Sequence, residues 1–238
     1  MNAIILCSGG LDSSTVAYHV KKKLNPKKSL LLFFDYSQKS LKEELFCVKK
    51  ISENLKIPYK IIKLDWLGEI STAFINKEGF KETKEEDLGD IKKQNQEITS
   101  WWVPCRNALF ILTALAHAES FFISNNEKYD IFLGIKKEGQ VPMKDTTPKF
   151  LKKINELAQE ATKDGNYKII APLIDKDKDE VVSLASELEV PYGFTFSCYI
   201  GSGFKDNLPV HCGSCSNCMQ RKKAFYWSNI KDPSFYKL

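Results

Sequence analysis

Two sets of residues in this 238-residue chain have the types and spacing to do chemistry. The first is Ser8-Gly9-Gly10-Leu11-Asp12-Ser13, close to the N-terminus. Glycines let a backbone approach a phosphate closely, and the hydroxyls of Ser8, Ser13 and Ser14 add donors. A helix opening after the turn would aim N–H groups and its positive end at an anion. The Walker A pattern and the three-glycine dinucleotide fingerprint are both absent. A bare Gly-Gly turn is weak evidence, since it serves equally as an ordinary turn. The second set is Cys198, Cys212, Cys215 and Cys218, spaced C-x13-C-x2-C-x2-C. Thiolates two residues apart reach one tetrahedral Zn²⁺ from a tight turn, and Cys198 closes the set from a preceding segment. Four sulfurs leave no open coordination position, so the expected Zn²⁺ is structural. A redox Cys-x-x-Cys pair is an alternative that leaves two of these thiols unexplained. His211 beside Cys212 reads as a bystander. Of the other three cysteines, Cys7 and Cys47 read as buried structural thiols, and Cys105 becomes a nucleophile only with an activating partner.

The elements that must position these residues alternate. Ala3–Leu6 reads as a buried strand entering the glycine turn. Asp12 or Ser13 then caps a helix running to about Lys23. Leu30–Phe34 is a second strand, and Ser40 to Leu55 an amphipathic helix with Leu41, Leu45, Val48, Ile51 and Leu55 on one face. Tyr59–Leu64 is a third strand and Arg106–Ser120 a core helix. Ile131–Gly134 is a fourth strand with Gly134 at its carboxyl end. Pro148 to Thr162 is a helix, Lys168–Ala171 a fifth strand, and Asp177–Leu188 a helix with a near capping-box pattern at Asp177 and Glu180. Strands separated by helix-length segments imply parallel βαβ units. The fold expected is therefore α/β, a doubly wound parallel sheet over residues 1–190. A zinc-binding knuckle over residues 191–238 packs on it, where the alternation stops. Residues 76–98 are charged and poor in apolar groups, and read as a solvated loop or a lid.

Composition limits the classes. Hydrophobic residues are 43% and charged residues 27%, which excludes a wholly disordered chain. The net charge of +5 and pI of 8.7 fall short of a dedicated nucleic-acid binder. No run reads as long and apolar enough to span a bilayer, and Met1–Cys7 lacks signal-peptide features. A cytoplasmic protein with reduced thiols is expected, where clustered cysteines favour metal over disulfides.

The hexapeptide resembles the SGGxDS signature of the PP-loop ATP pyrophosphatases, in which the loop holds the β- and γ-phosphates of ATP. Three further stretches resemble the 7-cyano-7-deazaguanine synthase (QueC) family. Asp35-Tyr36-Ser37-Gln38 is similar to its DYGQ segment, and Trp102 to Asn107 to its YVPxRN segment. Val190-Pro191-Tyr192, Ser197-Cys198-Tyr199 and Cys212 through Cys218 to Arg221 are similar to its GVPY, SCY and CGxCxxCxxR ending. Ala171-Pro172-Leu173 also matches, so the likeness covers nearly the whole chain in order.

The resemblance implies a chemistry: a deazaguanine carboxylate is adenylated by ATP, ammonia displaces AMP, and a second adenylation converts the amide to the nitrile. It makes Asp12, Ser13 and Arg106 catalytic candidates. Ser8, Gly9, Gly10, Leu11, Asp12, Ser13, Ser14, Thr15, Phe34 and Gly134 become ATP-binding candidates, with Mg²⁺ as companion. It also implies a homodimer, and the aromatic tail (Phe225, Tyr226, Trp227, Phe235, Tyr236) packs either on a partner or on its own domain. One stretch departs: where the family carries a run like DYSGYPDCRPEF, Gly139–Phe150 keeps only Asp145, Pro148 and Phe150. That leaves open an enzyme joining the activated carboxylate to another amine, for example on a protein, and stopping at the amide. An RNA-thiolating PP-loop enzyme using Cys105 is a further alternative. So is a non-catalytic nucleic-acid-binding zinc module gripping phosphate through Lys205, Arg221, Lys222 and Lys223.

Overall fold

Five apolar runs form one parallel sheet. They are β1 (Asn2–Leu6), β2 (Ser29–Asp35), β3 (Tyr59–Lys63), β4 (Tyr129–Phe132) and β5 (Ile169–Ile170). The order is β3-β2-β1-β4-β5, every pair parallel, with Ile4 opposite Leu30 on one side and Ile131 on the other. The structure, a computed structural model, describes residues 1–79, 82, 96, 99–136 and 143–237. Most of the 76–98 segment, and residues 139–142 of the divergent stretch, lie outside the described residues.

Side chains of the central strands alternate between two cores, which is why these strands read as continuous apolar runs. Ile4, Leu6, Leu32 and Phe34 face one core; Ala3, Ile5, Leu31 and Phe33 face the other. The first is covered by α4 (Arg106–Asn125) through Ile111, Ala114, Leu115 and Ala118, and by α5 (Pro148–Ala161) through Ile154 and Ala158. The second is covered by α1 (Leu11–His19), α2 (Leu41–Leu55) and α6 (Lys178–Glu187), through residues such as Val16, Val48, Ile51, Val181 and Val182. Helices on both faces make the sheet doubly wound. A short α3 (Asp65–Ile70) follows β3.

Three details differ from the sequence reading. The helix after the glycine turn starts at Leu11 with Gly10 as its N-cap, so Asp12 and Ser13 lie in its first turn instead of capping it. Its end widens into a π-helical turn, Val20–Leu24. The stretch Thr99–Asn125 is, by length and composition, long and apolar enough to cross a membrane, contrary to expectation. Here its inner face is folded against β1 and β4, and its apolar content fills the first core.

The C-terminal segment carries more regular structure than the end of the alternation suggested. It contains β6 (Phe204–Lys205), β7 (Leu208–His211), α7 (Ser216–Trp227) and β8 (Phe235–Tyr236), with sheet order β6-β7-β8. Phe196, Cys198, Cys215 and Cys218 join the first core, and Ala224 and Phe225 the second. Of the aromatic tail, Phe225 is buried and Phe235 and Tyr236 half-buried in this chain, whereas Tyr226 and Trp227 are 76% and 72% exposed.

Candidate active site and metal centre

In a doubly wound sheet the ligand crevice lies at the carboxyl ends of the strands, where the order reverses. Here that point is between β1 and β4, and a cavity of about 280 Å³ opens there. The glycine turn forms part of its wall. Gly9 has φ +76°, and a Cβ on it would sit 2.6 Å from the Glu44 carbonyl oxygen and 2.8 Å from Cys47 Cβ. Only glycine lets the turn lie this close to α2. Gly134 does the same from β4: a Cβ there would meet the Ser13 nitrogen at 2.8 Å. The turn is braced internally by Ser13 Oγ, which lies 3.2 Å from Ser8 Oγ, accepts from Ser8 N–H and donates to the Gly10 carbonyl.

The sequence candidates divide by position. Ser8, Gly10, Leu11, Asp12, Ser13, Phe34, Arg106 and Gly134 all line the cavity. Ser14 and Thr15 are fully buried instead, and the Thr15 hydroxyl donates to the Leu11 carbonyl at 2.7 Å. Gly9 sits behind the wall, its carbonyl accepting from Phe196 N–H at 2.8 Å. Phe34 stacks on Phe110, ring centroids 4.0 Å apart and planes within 7°, forming an apolar wall. Arg106 crosses from the start of α4, with Nη1 3.5 Å from the Tyr36 hydroxyl. Asp145 lies within reach of its charge, and burial nevertheless raises the Asp145 carboxyl.

Lys178 and Glu44, which the sequence reading passed over, and Gln38, which it named only within a motif, complete the site. Lys178 donates to Asp12 Oδ2 at 2.5 Å, while Asp12 Oδ1 is buried without a protein partner. The capping box that fixes the start of α6, with Asp177 N–H donating to Glu180 at 2.7 Å, also places Lys178 at the cavity. Gln38 is buried and clasps its own turn, accepting from Tyr36 N–H and donating to the Phe34 carbonyl. Glu44 lines the cavity, its two carboxylate oxygens accepting from Gln38 Nε2 (2.9 Å) and Ser40 Oγ (2.7 Å). Burial raises its pKa to about 7, against these bonds and the charge of Arg106. Lys178 is 166 positions from Asp12, so no local pattern pairs them.

The four cysteines do converge. Their sulfurs all lie within 4.8 Å of one another. Gly213 at φ +84° turns the chain so that Cys215 N–H donates to Cys212 Sγ at 3.3 Å. Cys212 N–H and Ile200 N–H donate to Cys198 Sγ. Cys215 is the N-cap of α7 and Cys218 lies in its first turn, so the positive helix end faces the sulfurs and favours thiolates. This donor set fits a metal ion. His211 stays apart: its Nε2 accepts from Ser197 N–H at 3.1 Å, and burial lowers it to about 3, keeping it neutral. Cys7 and Cys47 are buried, and burial pushes both thiols up, Cys7 to about 11. Cys105 is exposed, at φ +53° before α4, and is not among the cavity-lining residues. Arg221 is fully buried, so it is not available to grip a phosphate at the surface.

A doubly wound parallel sheet, a glycine turn at its switch point and four convergent cysteines, of which Cys198 lines the cavity, define an α/β protein with a ligand crevice and a candidate metal centre. The chain belongs to the family described as queuosine biosynthesis protein QueC, whose model matches residues 2–229. It is 35% identical over 241 residues to a 7-cyano-7-deazaguanine synthase of Methanococcus maripaludis, covering 99% of both chains. Synthases of the same name from Methanosphaera stadtmanae and Methanocaldococcus jannaschii are also 35% identical, each over 99% of this chain and over 98% and 99% of their own. Among solved structures, the U34-tRNA thiolase NcsA from Methanococcus maripaludis overlaps 96% of this chain and 64% of its own, at 15% identity and a TM-score of 0.43.

Proposed function

We propose that this chain adenylates a 7-deazaguanine carboxylate with ATP, lets ammonia displace AMP to give the amide, and adenylates the amide oxygen in turn to give 7-cyano-7-deazaguanine. The observation that carries the reading is one cavity lined by Ser8, Gly10, Asp12 and Ser13 of the glycine turn and by Arg106. Family membership and the full-length synthase relatives support the same substrate class.

The turn receives the β- and γ-phosphates and Arg106 takes the carboxylate, for which its planar fork is suited. The carboxylate oxygen attacks the α-phosphorus, and the bond to the bridging oxygen of pyrophosphate breaks. Backbone N–H groups, the Ser8 and Ser13 hydroxyls and the Lys178 ammonium offset the charge that grows on pyrophosphate. The unpartnered Asp12 Oδ1 is the protein oxygen that fits Mg²⁺, which when bound neutralises phosphate charge. The four thiolates would hold Zn²⁺: sulfurs 4.8 Å apart or less suit one tetrahedral ion. Its place is structural, and reduced thiols of this kind fit a cytoplasmic protein.

The test incubates the purified chain with the carboxylate, ATP, Mg²⁺ and ammonia, followed by mass spectrometry. Nitrile, with AMP and pyrophosphate, is expected. Absence of both amide and nitrile overturns the reading, and amide alone directs attention to another amine acceptor.

A further inference from the structure

Among the described residues, two carboxylates line the cavity, Asp12 and Glu44, and their surroundings differ. Asp12 sits in the first turn of α1, just after the glycine turn, with the Lys178 ammonium on one oxygen. Glu44 sits on α2, whose backbone abuts the turn at Gly9, and its hydrogen-bond partners are neutral: an amide and a hydroxyl. We infer that Glu44 takes the proton from the amine that attacks the activated carboxylate, so that the enzyme uses ammonium from solution. This rests on the proposed adenylation chemistry and adds a role to the same cavity.

Use of ammonium in place of free ammonia requires such a group. Ammonium has no lone pair for attack, and at neutral pH it far exceeds ammonia. One N–H bond of ammonium breaks and the proton goes to a Glu44 oxygen. The freed nitrogen lone pair forms the C–N bond to the acyl carbon. As the tetrahedral intermediate collapses, the C–O bond to AMP breaks with its electron pair on the AMP phosphate oxygen, and nitrogen gives a second proton to water. Glu44 then returns its proton to water, ready for the next turnover. A base works best with a pKa near the operating pH. The groups facing Glu44 are Glu43 and Cys47 on α2, Tyr36 beyond β2 and Arg106 at the start of α4. Desolvation and Glu43 raise its pKa, Gln38, Ser40 and Arg106 lower it, and the balance is about 7. The ammonium-supported rate should therefore rise as pH passes upward through about 7.

Hydroxylamine separates a base from a structural carboxylate, because it is already largely neutral at pH 7. In Glu44→Gln, ammonium-supported amide formation should fall by about 10²-fold, while hydroxamate formation falls far less. The variant's ammonium rate should track free ammonia with no bend near neutrality, and Glu44→Asp should recover part of the loss. Equal losses with both nucleophiles overturn the inference, as does an unchanged ammonium rate. Carboxylate-dependent ATP–pyrophosphate exchange by the unaltered chain is measured alongside: its absence would fail the adenylation reading itself, not the role of Glu44.

Discussion

Two ion pairs in this molecule are built to opposite ends. Arg221–Asp232 is sealed: Arg221 is fully buried and its Nε and Nη2 donate to both Asp232 oxygens. Its remaining N–H groups reach Thr195, Ser197 and the Tyr192 carbonyl, and its guanidinium lies over Phe225. Asp232 also accepts from the Tyr236 hydroxyl at 2.6 Å. Asp12–Lys178 is left open. It faces the cavity with side chains 23% and 15% exposed, and Asp12 Oδ1 has no protein partner. A pair with every valence used holds structure, while a pair with a valence to spare is available to a ligand. The closed pair also serves the open one. Through Thr195 and Ser197 it fastens the segment whose Phe196 N–H bonds Gly9 in the glycine turn.

The sharpest way to break this contrast is Asp12→Ala. Pyrophosphate release should fall by about 10³-fold, with the far-ultraviolet dichroism spectrum unchanged. Normal release would remove the role given to the open pair. Asp232→Ala should act on stability first, costing about 3–5 kcal/mol in urea unfolding, because it leaves the Arg221 charge buried and unpaired. A cost under about 1 kcal/mol would mean the pair is not sealed as described. The pH dependence has a definite sign. Burial is the largest single influence and works against the Asp232 carboxylate, but the Arg221 charge and the hydrogen bonds from Arg221, Tyr236 and Ser234 together outweigh it and hold the group below the usual range. Its contribution is present above the unfolded carboxylate pKa of about 4 and is lost as pH falls through the depressed folded value.

The metal site should behave like the closed pair. Elemental analysis should find about one zinc per chain, and Cys212→Ser should lower metal content and thermal stability together. A value near zero without chelator, or iron in place of zinc, would overturn the single-zinc proposal. The smallest effect is expected at Cys105, which is exposed and lies off the cavity wall. Cys105→Ala should change turnover by less than about twofold. A large loss would restore the thiol chemistry that the sequence left open.

Much of the site was legible because its signals are local. Ser8–Ser13 is contiguous, and three of the four cysteines fall within seven residues, so spacing alone brings them together. The strands were legible because burial on both faces leaves continuous apolar runs. Lys178 was not, since a lysine at the start of a helix carries no mark of the Asp12 it meets on the neighbouring helix α1. Glu44 was hidden on an amphipathic helix, where a glutamate reads as solvated surface. Arg221 near the cysteines looked like a surface cation, and only Asp232, eleven residues on, and the 192–197 segment show why it is inside.

By itself, then, the sequence determined the α/β order of elements, the phosphate-type turn and the four-thiol set, because periodicity and spacing act over a few residues. Tertiary structure alone decided which charges are spent and which are kept available. That depends on desolvation and partner geometry across the strand order β3-β2-β1-β4-β5, where residues far apart in the chain end at one crevice.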